Sequence, residues 1–467
     1  MTSYVALDLE TTGLDPSRDR VTEVAAVRFS PEGRELDRFE TLVNPGRPIP
    51  YFIQQLTGIS DEAVAQAPAL PDIAGQLRGF IGEGPVIGHN VSFDLAFLNA
   101  AGVSLGVPGV DTAELSRILM PDRQPRGLVE LAATLGVEGG GAHHRAGSDA
   151  STSAAIFVAL LKVAEAIPPA LRLQLARLIA LHDLALAEVI AGEGWQGAPA
   201  GERALPVIRP AQTVPQLTRR DPPLAIPAGQ VEAAFAAAPG VVSDFEERQE
   251  QLDMADAVAT AFSASGHWLM EAGTGVGKSL AYLVPAALYA LHNSERVVIS
   301  TNTIALQEQL LRKDVPALRA MLRDAGVIAA EDDLRVSVLK GRSNYLCMRR
   351  WTASFAANAA DPDFARLAAS VLLWLPETTT GDRSELSLGA TEWSTWFRFS
   401  AQDADCLARP NAFVKENNCF LQRARKAAEG SHLVIVNHAL LLSDIAQGGS
   451  ALPAFDLLVL DEAHNLE

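Results

Sequence analysis

Asp8 and Glu10 flank a single leucine near the end of the apolar run that opens the chain. On a strand, alternate side chains share a face, so the two carboxylates converge on one point. Acids that close repel each other, and a divalent cation bridging them is the usual remedy. Taken alone, the pair is explained by a solvated strand end running into the turn Thr12-Gly13-Leu14-Asp15-Pro16. Two later segments add acids at helix starts. Gly88-His89-Asn90-Val91-Ser92-Phe93-Asp94 follows a short strand at residues 85–87 and places Asp94 in a first helical turn. His144-Arg145-Ala146-Gly147-Ser148-Asp149 opens another helix, with His144 just before it and Asp149 just inside. An acid in a first turn ordinarily complements the helix dipole.

A second constellation handles phosphate. Ala272-Gly273-Thr274-Gly275-Val276-Gly277-Lys278-Ser279 lies between an expected strand at 267–271 and a helix running to about residue 291. This is a Walker A loop with alanine in place of its first glycine. The glycines let backbone N–H groups turn toward phosphate, the helix N-terminus adds its positive end, and Lys278 reaches the β/γ oxygens. Ser279 ligates Mg²⁺ in such loops. Residues 455–460 then read as a buried parallel strand that delivers Asp461-Glu462-Ala463-His464. That is the Walker B arrangement, with Asp461 for Mg²⁺ and Glu462 to polarise an attacking water.

These groups need scaffolds, and the chain is long enough for two or three. It has 467 residues, 48% hydrophobic and 20% charged, which is a globular composition. A net charge of −18 argues against indiscriminate nucleic-acid binding, so contacts with phosphate must use local basic patches or metal ions. No basic leader precedes the first strand, and the most apolar stretch, 171–190, is interrupted by charges, so neither secretion nor a membrane span is expected. Three cysteines make no disulfide framework and suit the cytoplasm. Strand patterns at 4–7, 21–29 and 36–43 and helical patterns at 73–81, 93–100, 128–135 and 148–163 predict an α/β domain over 1–165. A Leu/Ala-rich helix at about 170–191 follows. Seven prolines between 199 and 227 then predict a linker over 193–240, within a connecting region 166–240. An α/β pattern returns over 241–467.

In this order and separation, the segments carrying Asp8, Glu10, Asp94, His144 and Asp149 resemble the three motifs of the DEDDh exonucleases, which include the proofreading subunit of bacterial replicative polymerases. Leu56-Thr57-Gly58-Ile59 resembles the family's segment between its first two motifs. The resemblance covers residues 3–163 and implies a ribonuclease-H-like fold. It further implies that Asp8, Glu10, Asp94 and Asp149 hold two Mg²⁺ or Mn²⁺ ions about 3.5–4 Å apart. His144 becomes the general base, selected over His143 by the H-x-A-x-x-D spacing, while His89 is structural.

The spelling DEAH resembles superfamily 2 helicases. Arg248-Gln249-Glu250-Gln251 is similar to their adenine-reading segment, with Gln251 the contact, and Ser300-Thr301-Asn302-Thr303 with Gln307 to their DNA-touching motif Ia. Lys340-Gly341-Arg342-Ser343-Asn344-Tyr345-Leu346-Cys347 and Val436-Asn437-His438-Ala439-Leu440-Leu441 resemble the DinG/XPD helicases, whose insert carries a four-cysteine iron–sulfur cluster. Only Cys347, Cys406 and Cys419 are present, which favours loss of the cluster over a cluster with a non-cysteine fourth ligand. An insert at about 341–430 still offers Lys340, Arg342, Arg349, Arg350, Arg423, Arg425 and Lys426 for phosphate, and Tyr345, Trp351 and Phe420 for base stacking. The resemblance thus implies an epsilon-like exonuclease fused to the first, P-loop RecA-like domain of a DinG-type DNA helicase. Its partners would be single-stranded DNA or DNA 3′ ends, and ATP. The second RecA-like domain is read as absent, the helicase being truncated after its DEAH box. The rival readings are an RNA-trimming exonuclease and a non-catalytic DNA-binding module whose P-loop only senses ATP.

Overall fold

The computed structural model describes residues 3–123, 127–137, 144–192, 195, 208–242, 245–264, 266–273, 275–358, 361–402 and 411–466. Two compact units divide the chain: the first holds Met1–Arg209, Thr352–Thr378 and Ser384–Arg398, the second Pro210–Trp351, Thr379–Arg383 and Phe399–Glu467.

Strand β1 (Tyr4–Thr11) is central in the first unit. It pairs antiparallel with β2 (Val21–Phe29), which pairs antiparallel with β3 (Glu35–Leu42). On its other side lie parallel β4 (Val86–Gly88) and β5 (Gly109–Asp111), giving the order β3-β2-β1-β4-β5, the ribonuclease-H-like arrangement. Helix Leu70–Ile81 buries Leu70, Ile73, Ala74, Leu77 and Ile81, an i, i+3, i+4, i+7 stripe, in the same core as Val5, Leu7 and Leu9. Helix Ala146–Ala166 covers the other face, where Phe157 meets Tyr4 and Phe29 edge-on.

Two features of this unit depart from the sequence reading. The single helix expected at 170–191 is two, Pro169–Ile179 and Leu184–Ala191. Asp183 adopts an extended conformation and accepts from Leu186 N at 2.8 Å, so it caps a new helix instead of continuing the old one. In addition, much of the segment read as a helicase insert belongs here. Helix Pro362–Trp374 packs on helices Thr112–Leu119 and Pro169–Ile179. Its Arg366 pairs with Glu114, and its Ser370 hydroxyl donates to the Arg117 carbonyl at 3.3 Å. Trp374 meets Trp396 at 6.4 Å and donates from its indole to Glu385 at 2.9 Å.

The second unit is built on four parallel strands in the order β7-β8-β6-β9. These are β6 (Val297–Thr301), β7 (Val336–Val338), β8 (Leu433–Asn437) and β9 (Leu457–Leu460). β6 and most of β8 are buried as continuous apolar runs, as parallel strands covered on both faces must be. Helix Lys278–Asn293 is buried along nearly its whole length against this sheet. The strand expected at 267–271 does not form: the segment has no strand partner among the described residues, and Leu269 is 95% exposed. Without a ladder to join, its N–H and C=O groups stay with solvent. The proline-rich stretch is also not linker to its end. Helix Gln230–Ala236 buries Val231, Ala234 and Phe235 in this unit's core, and Leu224 N donates to Asn293 at 2.7 Å. No helix is long and apolar enough to cross a membrane among the described residues.

Candidate carboxylate and phosphate-binding sites

The β1 alternation brings Asp8 and Glu10 to one face, and helix Ala146–Ala166 presents Asp149 to it. One carboxylate oxygen from each of the three lies within 4.8 Å of the others. Asp94, in the first turn of helix Val91–Ala100, is buried beside Asp8 but outside that trio. One of its oxygens accepts from Leu9 N at 3.0 Å, tying the helix to the strand that carries the other acids. Burial raises Asp8 well above the usual carboxylate range, and the charges of Asp94, Asp149 and Glu10 add to it. Burial, then Asp149 and Glu23, pushes Glu10 up to about 7. Asp94 is also raised well above its ordinary value, by burial, despite the opposing hydrogen bond from Leu9. Several hard oxygen donors, each disfavoured as an isolated anion, form a set that a divalent cation fits.

His144 is exposed, at the mouth of this cluster, with φ of 61°, and its backbone N–H donates to Asp149 at 3.2 Å. A left-handed conformation at a non-glycine residue is uncommon and needs support from its surroundings. That support comes from Glu23, which the sequence reading missed. Glu23 stands opposite Glu10 in the β1–β2 register and is 1% exposed. It accepts from Arg145 Nη2 at 2.6 Å, Arg145 Nε at 3.1 Å and Ala146 N at 3.0 Å, pinning the residues directly after His144. The one available signal was an acid inside a mostly apolar strand. His89 bonds Thr112 at 3.1 Å. His143 lies outside the described residues.

In the second unit the two phosphate-site motifs meet. Lys278 Nζ is 2.7 Å from Glu462 Oε1, and Tyr282 donates its hydroxyl to Asp461 Oδ2 at 3.2 Å. Burial raises the Asp461 pKa, while the bond from Lys278 lowers that of Glu462 and raises that of Lys278. Gly273, Gly275, Val276 and Gly277 form the turn before helix Lys278–Asn293, where Ser279 sits in the first turn; Thr274 lies outside the described residues. Gly277 has φ of 83°, and a Cβ there would fall 2.2 Å from the Gln251 amide. Only glycine fits. The Gln251 amide donates to the Gly277 carbonyl at 2.8 Å, so it braces the loop.

Several residues expected to reach nucleic acid are instead interior. Tyr345, Trp351 and Phe420 are buried, Trp351 against Phe399. Lys340 is buried and paired with Glu308 and Asp382. Ser300, Thr301 and Gln307 are buried too, the Gln307 amide reaching the Leu339 and Ile435 carbonyls at 3.4 Å, which leaves Asn302 and Thr303 exposed. Each sits where an apolar sheet must be closed, and pattern alone does not separate that use from a surface one. Cys347 is buried and Cys419 half-buried; Cys406 lies outside the described residues.

Residues 5–157, which carry the ribonuclease-H-like sheet and the carboxylate trio, match the model of the RNase T family, described as exonuclease. Over 99% of its length the chain is 32% identical to the "3'-5' exonuclease DinG" of Bacillus subtilis, covering 50% of that protein. Over 47% of its length it is 40% identical to the "ATP-dependent helicase DinG" of Mycobacterium tuberculosis, covering 34% of it. Among solved structures, exonuclease X in complex with 5′ overhanging duplex DNA matches at 26% identity and a TM-score of 0.30, over 35% of this chain and 94% of that one. Over nearly its whole length the chain is thus similar to a relative named as a DinG exonuclease, and over about half of it to relatives named as DinG helicases. It spans about half the length of the full-length curated relatives it matches.

Proposed function

We propose that this chain is a 3′→5′ DNA exonuclease joined to the ATP-binding domain of a DinG-type DNA helicase, working in the cytoplasm on single strands or 3′ ends during DNA repair or replication. The observation that carries the reading is the convergence of Asp8, Glu10 and Asp149 from a strand and a separate helix, with His144 at their edge. Asp8, Glu10 and Asp149, with Asp94 behind Asp8, would hold Mg²⁺ or Mn²⁺, which supplies an activated water and stabilises the leaving 3′ oxygen. His144 would serve as the general base for that water. Glu23 and Arg145 fix the backbone that carries it. In the second unit, Lys278 exchanges Glu462 for the β/γ-phosphates of ATP. Ser279 and Asp461 would hold the Mg²⁺ of ATP, and Glu462, released from Lys278, would orient water. The thiols Cys347 and Cys419 sit in an apolar cluster as small hydrophobes.

The test is degradation of 5′-labelled single-stranded DNA by the whole chain with Mn²⁺, beside a matched RNA. DNA shortens from its 3′ end faster than RNA, and Asp8→Ala or Asp149→Ala abolishes the reaction. His144→Ala keeps metal binding and slows the reaction ~10²–10⁴-fold. Full activity in Asp8→Ala refutes the assignment.

A further inference from the structure

Tyr282 lies one helical turn beyond Lys278, on helix Lys278–Asn293, and is buried. Its hydroxyl donates to Asp461 Oδ2 at 3.2 Å. A phenylalanine would pack as well in an apolar core, and a buried hydroxyl costs desolvation unless it is used. Here it holds one oxygen of the carboxylate that follows β9, which fixes the direction of the other oxygen. Burial, then the charge of Asp461, raises the Tyr282 pKa well above its ordinary value; a hydrogen bond from Ser279 opposes the rise, and the charge of Asp314 adds to it. The phenol is therefore a permanent donor standing among Ser279, Asp461 and Asp314.

Asp314 closes the π-helical turn Leu310–Asp314, which packs on helix Lys278–Asn293. Such turns are rare and occur often at functional sites. Asp314 immediately precedes helix Val315–Asp324, yet its side chain makes no capping hydrogen bond. Its Oδ2 is buried with no hydrogen-bond partner among the described residues. Burial raises its pKa; the charge of Lys313 opposes this, and that of Asp461 adds to it. One phenol proton cannot serve two carboxylates, and it goes to Asp461. A bare carboxylate oxygen near a second acid costs free energy that a divalent cation with its hydration water recovers, so these oxygens fit such an ion.

We propose that Tyr282 and Asp314 are positioning residues of the nucleotide site: Tyr282 orients the Asp461 carboxylate for the Mg²⁺ that accompanies ATP, and Asp314 accepts from a water in that ion's hydration shell. The ion, when bound, neutralises charge on the β- and γ-phosphates. The proposal rests on the ATP reading above and adds to it two residues outside the P-loop and the DEAH segment.

The experiment measures the affinity of the whole chain for fluorescent N-methylanthraniloyl-ATP in EDTA and again in Mg²⁺; the ratio is the gain that the ion supplies. Lys278→Ala sets the background in both conditions, and Ser279→Ala shows what losing an expected ligand does to the gain. Tyr282→Phe keeps the ring and its packing. It leaves the EDTA affinity unchanged and cuts the Mg²⁺ gain about tenfold, the lower end for a hydrogen bond to a charged group. Asp314→Asn keeps the shape and removes a negative charge. It leaves the EDTA affinity unchanged or tighter and cuts the gain several-fold. A purely structural role would instead weaken binding equally with and without the ion. If Tyr282→Phe keeps the full gain, or loses affinity equally in both conditions, the proposal is overturned. The same results in Asp314→Asn remove that residue from the site. No Lys278-dependent binding by the parent chain overturns the ATP reading and this proposal together, whereas a normal parent gain with unaffected variants overturns the proposal alone.

Discussion

The carboxylate cluster is built against its own stability, and replacing Glu10 by glutamine should expose this. In the metal-free protein the folded state holds the Glu10 proton up to about pH 7, against an ordinary value of 4.5. The sign follows directly. Between those values the folded state binds more protons than the unfolded chain, so stability falls as pH rises from about 4.5 through about 7 and then levels off. Full ionisation costs about 3 kcal/mol on that shift, nearer ~2 kcal/mol once water at the open side of the site screens the charges. Glu10→Gln removes the charge but keeps the shape. It should stabilise the metal-free protein at pH 8 by ~2 kcal/mol, a rise of roughly 4–8 °C for a domain of this size, and leave it unchanged at pH 4.5. With Mn²⁺ the order reverses, because the wild-type cluster gains binding energy that the variant has lost. Scanning calorimetry in EDTA and in Mn²⁺, at both pH values, reads all four quantities. If Glu10→Gln destabilises the metal-free protein at pH 8, or if wild-type stability is flat across this range, the electrostatic account of the cluster is wrong.

Other perturbations probe the supports. Glu23→Gln replaces one accepting oxygen with an amide NH2 that cannot accept, which breaks part of the clamp on Arg145 and Ala146, and should lower kcat about tenfold with little change in KM or Mn²⁺ affinity, measured by steady-state DNA hydrolysis. Deleting residues 352–398 uncovers the helices that Pro362–Trp374 packs upon, so the melting temperature of the nuclease transition should drop by several degrees; an unchanged transition would show that this packing is dispensable. Lys278→Ala should abolish binding of a fluorescent ATP analogue, and Gly277→Ala should do the same by driving a methyl group into the Gln251 amide.

Much of the site was legible in the sequence because it depends on local geometry. The two-residue spacing of Asp8 and Glu10 fixes a common face on any strand, and acids in first helical turns are placed by the helix itself. The same holds for Gly275 and Gly277 before Lys278, whose left-handed φ angles are properties of single residues. The strand of residues 21–29 and the helix of 128–135 were read with the bounds they have. Glu23 was not found, because an acid within a strand does not announce which residue, more than a hundred positions later, will donate to it.

The insert shows the same division. Its basic and aromatic residues were visible as composition, and composition favoured a nucleic-acid surface. Tertiary packing decided otherwise for several of them: Tyr345, Trp351 and Phe420 are buried and Lys340 is held by Glu308 and Asp382, while Arg366 pairs with Glu114 in the first unit. What the sequence determined by itself was chemistry carried on short segments: the carboxylates, the P-loop, the acids after β9. Only the fold decided which charges are paired. Pairing depends on distances between residues far apart in the chain, and the energy of a buried charge depends on everything that surrounds it.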